Sequence, residues 1–179
     1  FNIEYVEFVK RYNKLNEKYS NIVGHMCYAA YKLWNVSNYE RIHYTELGLD
    51  AYPDWYYQKK SHKDDLWYKN LPSQTAQEVC KLLDKSWKSF YKLTETHGVE
   101  KPHHPKFKHS KMPVTYMQNG IMHAAGSDTV RLSLSKQMKD YMFKTYNISE
   151  NYIYLKNQIF KNTDNIKQIK IYPPVNGNC

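Results

Sequence analysis

The stretch Ala76-Gln77-Glu78-Val79-Cys80-Lys81-Leu82-Leu83-Asp84-Lys85-Ser86-Trp87-Lys88-Ser89-Phe90 carries two periodicities at once. Ala76, Val79, Cys80, Leu83, Trp87 and Phe90 recur at three- and four-residue steps, so a helix would gather them into one apolar stripe. Lys81, Lys85, Lys88 and Lys92 recur in the same way on another face. This predicts a helix docked through its tryptophan on a core, with a row of ammonium groups facing water or phosphates. A lysine row alone describes a solvated face equally well. Upstream, Pro72 followed by Ser73 or Thr75 predicts the helix start, and Thr75 with Glu78 has capping-box spacing. Downstream, His97-Gly98 predicts its end, with Gly98 in the left-handed position.

Towards the N-terminus the helical period continues. Tyr5, Phe8, Val9, Tyr12, Leu15 and Tyr19 keep it, and Ile22, Met26, Ala30 and Leu33 resume it. This reads either as one helix to about Asn38 or as two with a break near Ser20-Asn21. Tyr52-Pro53-Asp54 interrupts the pattern, and Asp54 is placed to cap a short helix carrying Trp55, Lys59 and Lys63.

At Lys101 the character changes. Pro102, Pro105 and Pro113 exclude helix. Short strand-like runs follow at 114–117, 120–123, 129–134, 152–155 and 166–172, with a helix expected from Ser135 to Tyr146. Val130, Leu132 and Leu134 alternate with Thr129, Arg131 and Ser133, the period of a half-buried strand. Residues 1–6, where Phe1, Ile3 and Tyr5 alternate with Asn2 and Glu4, are expected as a further strand, beside 167–172. Pro173 to Gly177 reads as a hairpin turn. The expectation is an α+β chain: a helical part over residues 7–100 and a small β-barrel over 101–179, joined by the strand at 1–6.

The net charge of +9 is unevenly spread. Residues 1–100 hold 14 lysines and arginines against 13 acidic residues, whereas residues 101–179 hold 12 against 4. That asymmetry predicts an anionic partner. The 18 tyrosines and 4 tryptophans favour nucleic acid over a lipid surface, because base stacking uses aromatic rings with a polar tip. No apolar run is long enough for a membrane helix, and no signal-peptide pattern precedes the first strand, so a cytoplasmic protein whose native start lies upstream of Phe1 is expected. Cys27, Cys80 and Cys179 contain no C-x-x-C pair, which fits a reducing compartment and excludes a zinc finger.

The acidic residues are scattered and no hydrolase, P-loop or dinucleotide motif occurs. His97, His103, His104 and His109 interleave with Pro, Lys and Phe107 and lack the carboxylate or thiolate partners of a metal site. No catalytic residues are therefore assigned. The binding signal lies in Pro105-Lys106-Phe107-Lys108-His109-Ser110-Lys111, cations around one aromatic in non-helical chain. It recurs in Tyr116-Met117-Gln118-Asn119-Gly120, where amides could read base edges beside a close-approach glycine. A plain hairpin turn is the alternative for Asn119-Gly120.

Together, Asn70-Leu71-Pro72-Ser73-Gln74-Thr75-Ala76-Gln77, Trp87-Lys88-Ser89-Phe90, Pro105-Lys106-Phe107-Lys108 and Tyr116-Met117-Gln118-Asn119-Gly120-Ile121 resemble successive marks of the TnpB (OrfB) family. These are transposon-encoded RNA-guided DNA endonucleases regarded as ancestral to type V CRISPR effectors. Leu33 to Tyr39 and Ile166 to Ile171 resemble the family's first recognition helix and its last strands before the nuclease domain. The resemblance implies a helical recognition domain inserted in an oligonucleotide-binding-like wedge barrel. Guide RNA and double-stranded target DNA would be the partners of a monomeric protein. A RuvC-like nuclease with its divalent metal, and a zinc ribbon, would lie outside these residues, leaving no cofactor in the chain. By the same resemblance Tyr44, Ser73, Gln74, Gln77, Tyr116, Met117, Gln118 and Asn119 would meet the short duplex motif beside the target, Tyr44 with the weakest claim. Lys81, Lys85, Lys88, Lys106, Lys108 and Lys111 would hold nucleic-acid backbone. A nuclease-dead regulator of the same family and a basic interaction module unrelated to nucleic acid are the rival readings.

Overall fold

A computed structural model describes residues 12–123, 129–156 and 166–175. The expected strand at 1–6 and the turn at Asn176-Gly177 lie outside them. Among the described residues the chain is α+β, with five α-helices and two small antiparallel sheets.

Helix α1 (Ser20–Ile42) is the centre of the molecule. It buries residues over a wide arc of its circumference, among them Ile22, Val23, Met26, Ala30, Leu33 and Trp34, and leaves the face of Asn21, His25, Tyr28, Lys32 and Tyr39 partly open. It starts later and runs further than its expected end at Asn38. Tyr12 to Asn16 is not helical, and a single 3-10 turn (Glu17–Tyr19) capped by the Asn16 side chain leads into it. Periodic apolar residues are thus insufficient there.

Helix α2 (Trp55–Ser61) begins at Asp54, whose carboxylate accepts from the Tyr57 backbone N–H at 2.8 Å, as the cap reading expects. Helix α3 (Leu66–Lys69) is capped likewise by Asp65. Helix α4 (Ser73–Glu95) starts directly after Pro72. The capping box of Thr75 and Glu78 does not form, because Thr75 already lies inside the helix and is buried. The apolar stripe is as expected, with Ala76, Cys80 and Leu83 fully buried. At the far end His97, not Gly98, takes the left-handed conformation (φ 51°), and the Gly98 N–H closes the motif on the Leu93 carbonyl at 3.3 Å. A side chain in that region is strained. His97→Gly is therefore expected to raise stability by about 0.5–1 kcal/mol, read from the urea midpoint; an unchanged midpoint would refute it.

Strands β1 (Val114–Met117) and β5 (Gln168–Ile171) pair antiparallel, Val114 opposite Ile171. Strands β2 (Ile121–His123), β3 (Thr129–Ser133) and β4 (Tyr152–Lys156) form the second sheet, with Leu132 opposite both Ile121 and Ile153. Helix α5 (Lys136–Tyr146) connects β3 to β4, capped by Ser135 and closed by Asn147 at φ 53°. The expected strands and inserted helix thus occur close to their expected bounds. The described strands make two separate sheets, not one closed barrel. The apolar core is continuous across Lys101: Val114, Tyr116, Leu132, Met138, Ile153 and Ile171 pack in one cluster with the buried faces of α1 and α4.

Candidate nucleic-acid interface

The basic segment between α4 and β1 is extended and laid across α1. Its backbone is held by side chains of that helix. Trp34 Nε1 donates to the Lys106 carbonyl at 3.0 Å, and Asn38 Nδ2 donates to the Pro105 carbonyl at 2.8 Å. Asn35 makes a two-way pair with Lys108, donating to its carbonyl and accepting from its N–H, both at 2.8 Å. Such amide pairing replaces the ladder partner an extended backbone would otherwise lack. Further along, the Met112 N–H donates to the Cys27 carbonyl at 3.2 Å. With its backbone so fixed, the strap presents Lys106, Phe107 and His109 outward, while Lys108 lies over the Trp34 ring at 4.5 Å. His104 stacks on Trp87, ring planes 3° apart.

Gln74, Glu78, Lys81, Lys85, Lys88 and Lys92 form one ridge on α4, opposite its buried stripe. At 1.5 Å per residue the ridge is about 27 Å long. It is less cationic than its lysines suggest. Lys88 is committed to Asp84 at 2.7 Å and Lys81 to Glu78 at 3.2 Å. Lys81 also sits over Trp55, whose ring is approached by Lys59 as well. Lys85 and Lys92 make no ion pair among the described residues.

The ridge begins at the β1–β2 connection. Gln118–Gly120 is a 3-10 turn, and a Cβ added at Gly120 would come within 3.6 Å of Gln74 Oε1. The structure therefore brings Gln74 against the Gln-Asn-Gly turn from a separation of over forty residues. Ser73, Gln74, Met117, Gln118 and Asn119 are all exposed, and Lys167 Nζ approaches Gln118 Oε1 at 3.5 Å.

Three expected site residues are placed otherwise. Tyr116 is 2% exposed, and its hydroxyl donates to the Ser133 carbonyl at 2.8 Å, tying β1 to the end of β3. Burial pushes that phenol far above its ordinary range. It is a core residue, because the strand alternation that exposes Met117 turns Tyr116 inward. Gln77 is half-buried and lies beside the buried Tyr68, whose pKa burial pushes up against a smaller lowering by Gln77. Tyr44 lies edge-on to Tyr52, which packs against Trp87 and Tyr91. That position is near the middle of α4, about 20 Å along the helix from Gln74.

A cleft of 780 Å³ opens where α1, α3 and α5 meet. Tyr28, Trp67, Tyr141 and Tyr146 line it together with His25, Asn70, Lys111 and Lys144. His25 stacks on Tyr141 with ring centres 4.3 Å apart, and its Nε2 lies 3.2 Å from Asn70 Oδ1. Asn70 Nδ2 donates to the Leu66 carbonyl at 2.7 Å, which fixes the amide and makes His25 Nε2 the donor to Oδ1. Burial, reinforced by the Lys111 charge, lowers the His25 pKa against the opposing Asn70 bond, so the ring is neutral at pH 7. Lys111 Nζ reaches in over Gly24, 3.2 Å from where a Cβ would stand.

No family model and no curated protein matches this chain. Among the described residues, no group of three or more His, Cys, Asp or Glu side chains converges to hold a metal ion, and no helix is long and apolar enough to cross a membrane. His104, one of the four histidines considered as ligands, is stacked on Trp87 instead. Cys27 and Cys80 are buried thiols, and burial pushes that of Cys80 up to about 12.

The aromatic residues of the cleft escaped sequence reading, whereas Lys111 was marked with the basic segment. Tyr28, Trp67 and Tyr141 belong to three helices, and each falls in an ordinary amphipathic pattern. Gly24 within an otherwise apolar helix was the one local irregularity pointing there.

Proposed function

We propose that this chain binds nucleic acid as the guide-RNA- and target-DNA-binding part of a TnpB-like RNA-guided DNA endonuclease. The observation that carries the reading is the apposition of Gln74, at the start of α4, with the exposed Gln118–Gly120 turn. The Gln74 amide lies beside the glycine of a turn that carries two further exposed amides, at the head of a ridge of lysines, a layout suited to reading one or two base edges while the ridge follows phosphates. The extended strap supplies further cations on a backbone that needs no ordering on binding. In this reading both sheets belong to one wedge barrel, and cutting would be performed by a nuclease domain and not by these residues. Sequence beyond the short duplex motif would be left to guide pairing.

Gel-shift titrations of duplex DNA and RNA at two salt concentrations test the proposal. Affinity is expected to fall steeply with salt. Lys106→Ala should weaken binding to all sequences and reduce the salt slope by about 1. Gln74→Ala should instead lose about 1–3 kcal/mol of discrimination at one base pair, with little effect on random duplex. Salt-independent or absent binding would overturn the reading in favour of an interaction module. Equal loss on cognate and random duplex in Gln74→Ala would remove Gln74 from the reading face.

A further inference from the structure

We infer that the cleft between α1, α3 and α5 is a site for one unstacked nucleotide of a single-stranded nucleic acid, the base lying on the His25–Tyr141 wall and the phosphate at Lys111. The inference rests on the proposed nucleic-acid function and adds a second site, beside the N-terminal half of α1 where the strap ends. The cleft volume of 780 Å³ falls in the range of small-molecule sites, and a double helix cannot enter such a concavity.

Its walls are aromatic and continuous. Tyr28 stands edge-on to Trp67 at 5.5 Å, stacks towards His25 at 6.4 Å, and His25 stacks in turn on Tyr141. Tyr146 meets Tyr141 edge-on at 6.4 Å. Tyr141 and Tyr146 are 39% and 49% exposed, so the rings are on offer to a ligand and not consumed by the core. Every base has a π-face, and stacking of this kind tolerates any of them.

The polar groups are arranged to orient a ligand. Because Nε2 of His25 is committed to Asn70, Nδ1 is left as the acceptor of the neutral ring. Asp140 adds an exposed carboxylate acceptor to the lining, and Lys111 and Lys144 add cations. The lack of a Cβ at Gly24 lets the Lys111 amine settle against the floor of the cleft. Lys111 also ends the basic strap, so a strand following Lys106 and Lys108 is led by that segment towards the cleft.

Ultraviolet crosslinking of the full chain to single-stranded RNA and DNA decamers, with the linked peptide located by mass spectrometry, tests the assignment without a variant. Crosslinks on the peptides containing Trp67 or Tyr141 are expected. In parallel, Tyr141→Ala should weaken decamer binding about tenfold, Tyr141→Phe should retain it, and Lys111→Gln should weaken it with a lower salt slope. Duplex discrimination through Gln74 should be untouched by Tyr141→Ala. Equal behaviour of the RNA and DNA decamers would show that base and phosphate suffice, and preference for RNA would add a 2′-hydroxyl contact to the same site. Crosslinks confined to other peptides, with decamer affinity unchanged in Tyr141→Ala and Lys111→Gln, would overturn the cleft assignment. Loss of duplex and decamer binding alike in the wild-type protein at low salt would instead overturn the underlying function.

Discussion

Arg41→Ala is expected to lower the unfolding free energy by about 3–5 kcal/mol, more than any other single change to a charged residue of this fold. Arg41 is 2% exposed and joins three helices through one guanidinium. Its Nη2 meets Asp84 Oδ1 at 2.9 Å, its Nε donates to Gln58 Oε1 at 2.8 Å, and its Nη1 reaches the Tyr52 hydroxyl at 3.3 Å. Gln58, fully buried, passes the network on to the Ser37 carbonyl and to Glu40, which also meets His62 at 3.2 Å. Removing Arg41 leaves the buried Gln58 carbonyl without its donor and Asp84 Oδ1 with only the long Trp55 N–H contact at 3.3 Å, Lys88 remaining on Oδ2. Arg41→Lys cannot rescue the network, because an ammonium lacks the planar fork that serves three acceptors. Arg41→Met combined with Asp84→Leu should be far less harmful than Arg41→Ala, since it leaves no uncompensated charge.

The same network sets an acid limit. Burial raises the Asp84 pKa, but the Lys88 and Arg41 hydrogen bonds outweigh it and hold the carboxyl below its ordinary value. A depressed folded pKa means stability that is present above the unfolded value near 3.9 and is lost as pH falls through the folded one. His25 acts in the same direction at higher pH: its folded pKa is lowered, so stability is complete above about 6.5 and falls as pH drops through the folded value. Urea unfolding at neutral pH and near pH 4 measures the His25 effect, and a further step to near pH 2 measures that of Asp84. A loss below about 1 kcal/mol in Arg41→Ala at neutral pH would show the network to be dispensable.

Trp87→Ala should cost about 3–5 kcal/mol, and Trp87→Phe about 1–3. The indole is 5% exposed and its Nε1 donates to Asn38 Oδ1 at 2.8 Å, while the other end of the Asn38 amide holds the Pro105 carbonyl. Trp87 thus orients the asparagine that pins the strap, and its ring also stacks on His104. Phenylalanine keeps most of the packing and leaves Asn38 Oδ1 buried without its donor. Faster trypsin cleavage after Lys106 in Trp87→Phe, alongside the lowered urea midpoint, is the expected signature. A midpoint shift with no change in cleavage there would confine Trp87 to the core and separate it from the strap.

Much of the architecture was legible locally. The β3 alternation of Val130 and Leu132, the Ser135 cap of α5, the Asp54 cap of α2 and the apolar stripe of α4 are short-range patterns, and each formed within a residue or two of its expected bounds. Two local expectations failed. Thr75 has capping-box spacing yet sits inside α4, because Pro72 already ends the preceding chain. Gly98 is outcompeted for the left-handed position by His97, since the Leu93 carbonyl selects the residue by geometry and not by propensity. Closure of the strands into a barrel depends on pairings that alternation cannot specify, and the described strands form two sheets.

For the candidate interface the division is sharper. Residue types and spacing were enough to mark the Gln-Asn-Gly turn, the strap lysines and the α4 ridge, because charge and turn chemistry are written in neighbouring residues. They were not enough to show that Tyr116 is buried on Ser133, that Gln77 is half-buried beside Tyr68, or that His25 stacks on Tyr141 across more than a hundred residues. Burial and hydrogen-bond partnership at such separations are properties of packed elements, where one helix or strand decides which face of another remains open. Side-chain identity sets what a residue is able to bind; the packing around α1 sets which of those residues can still do so.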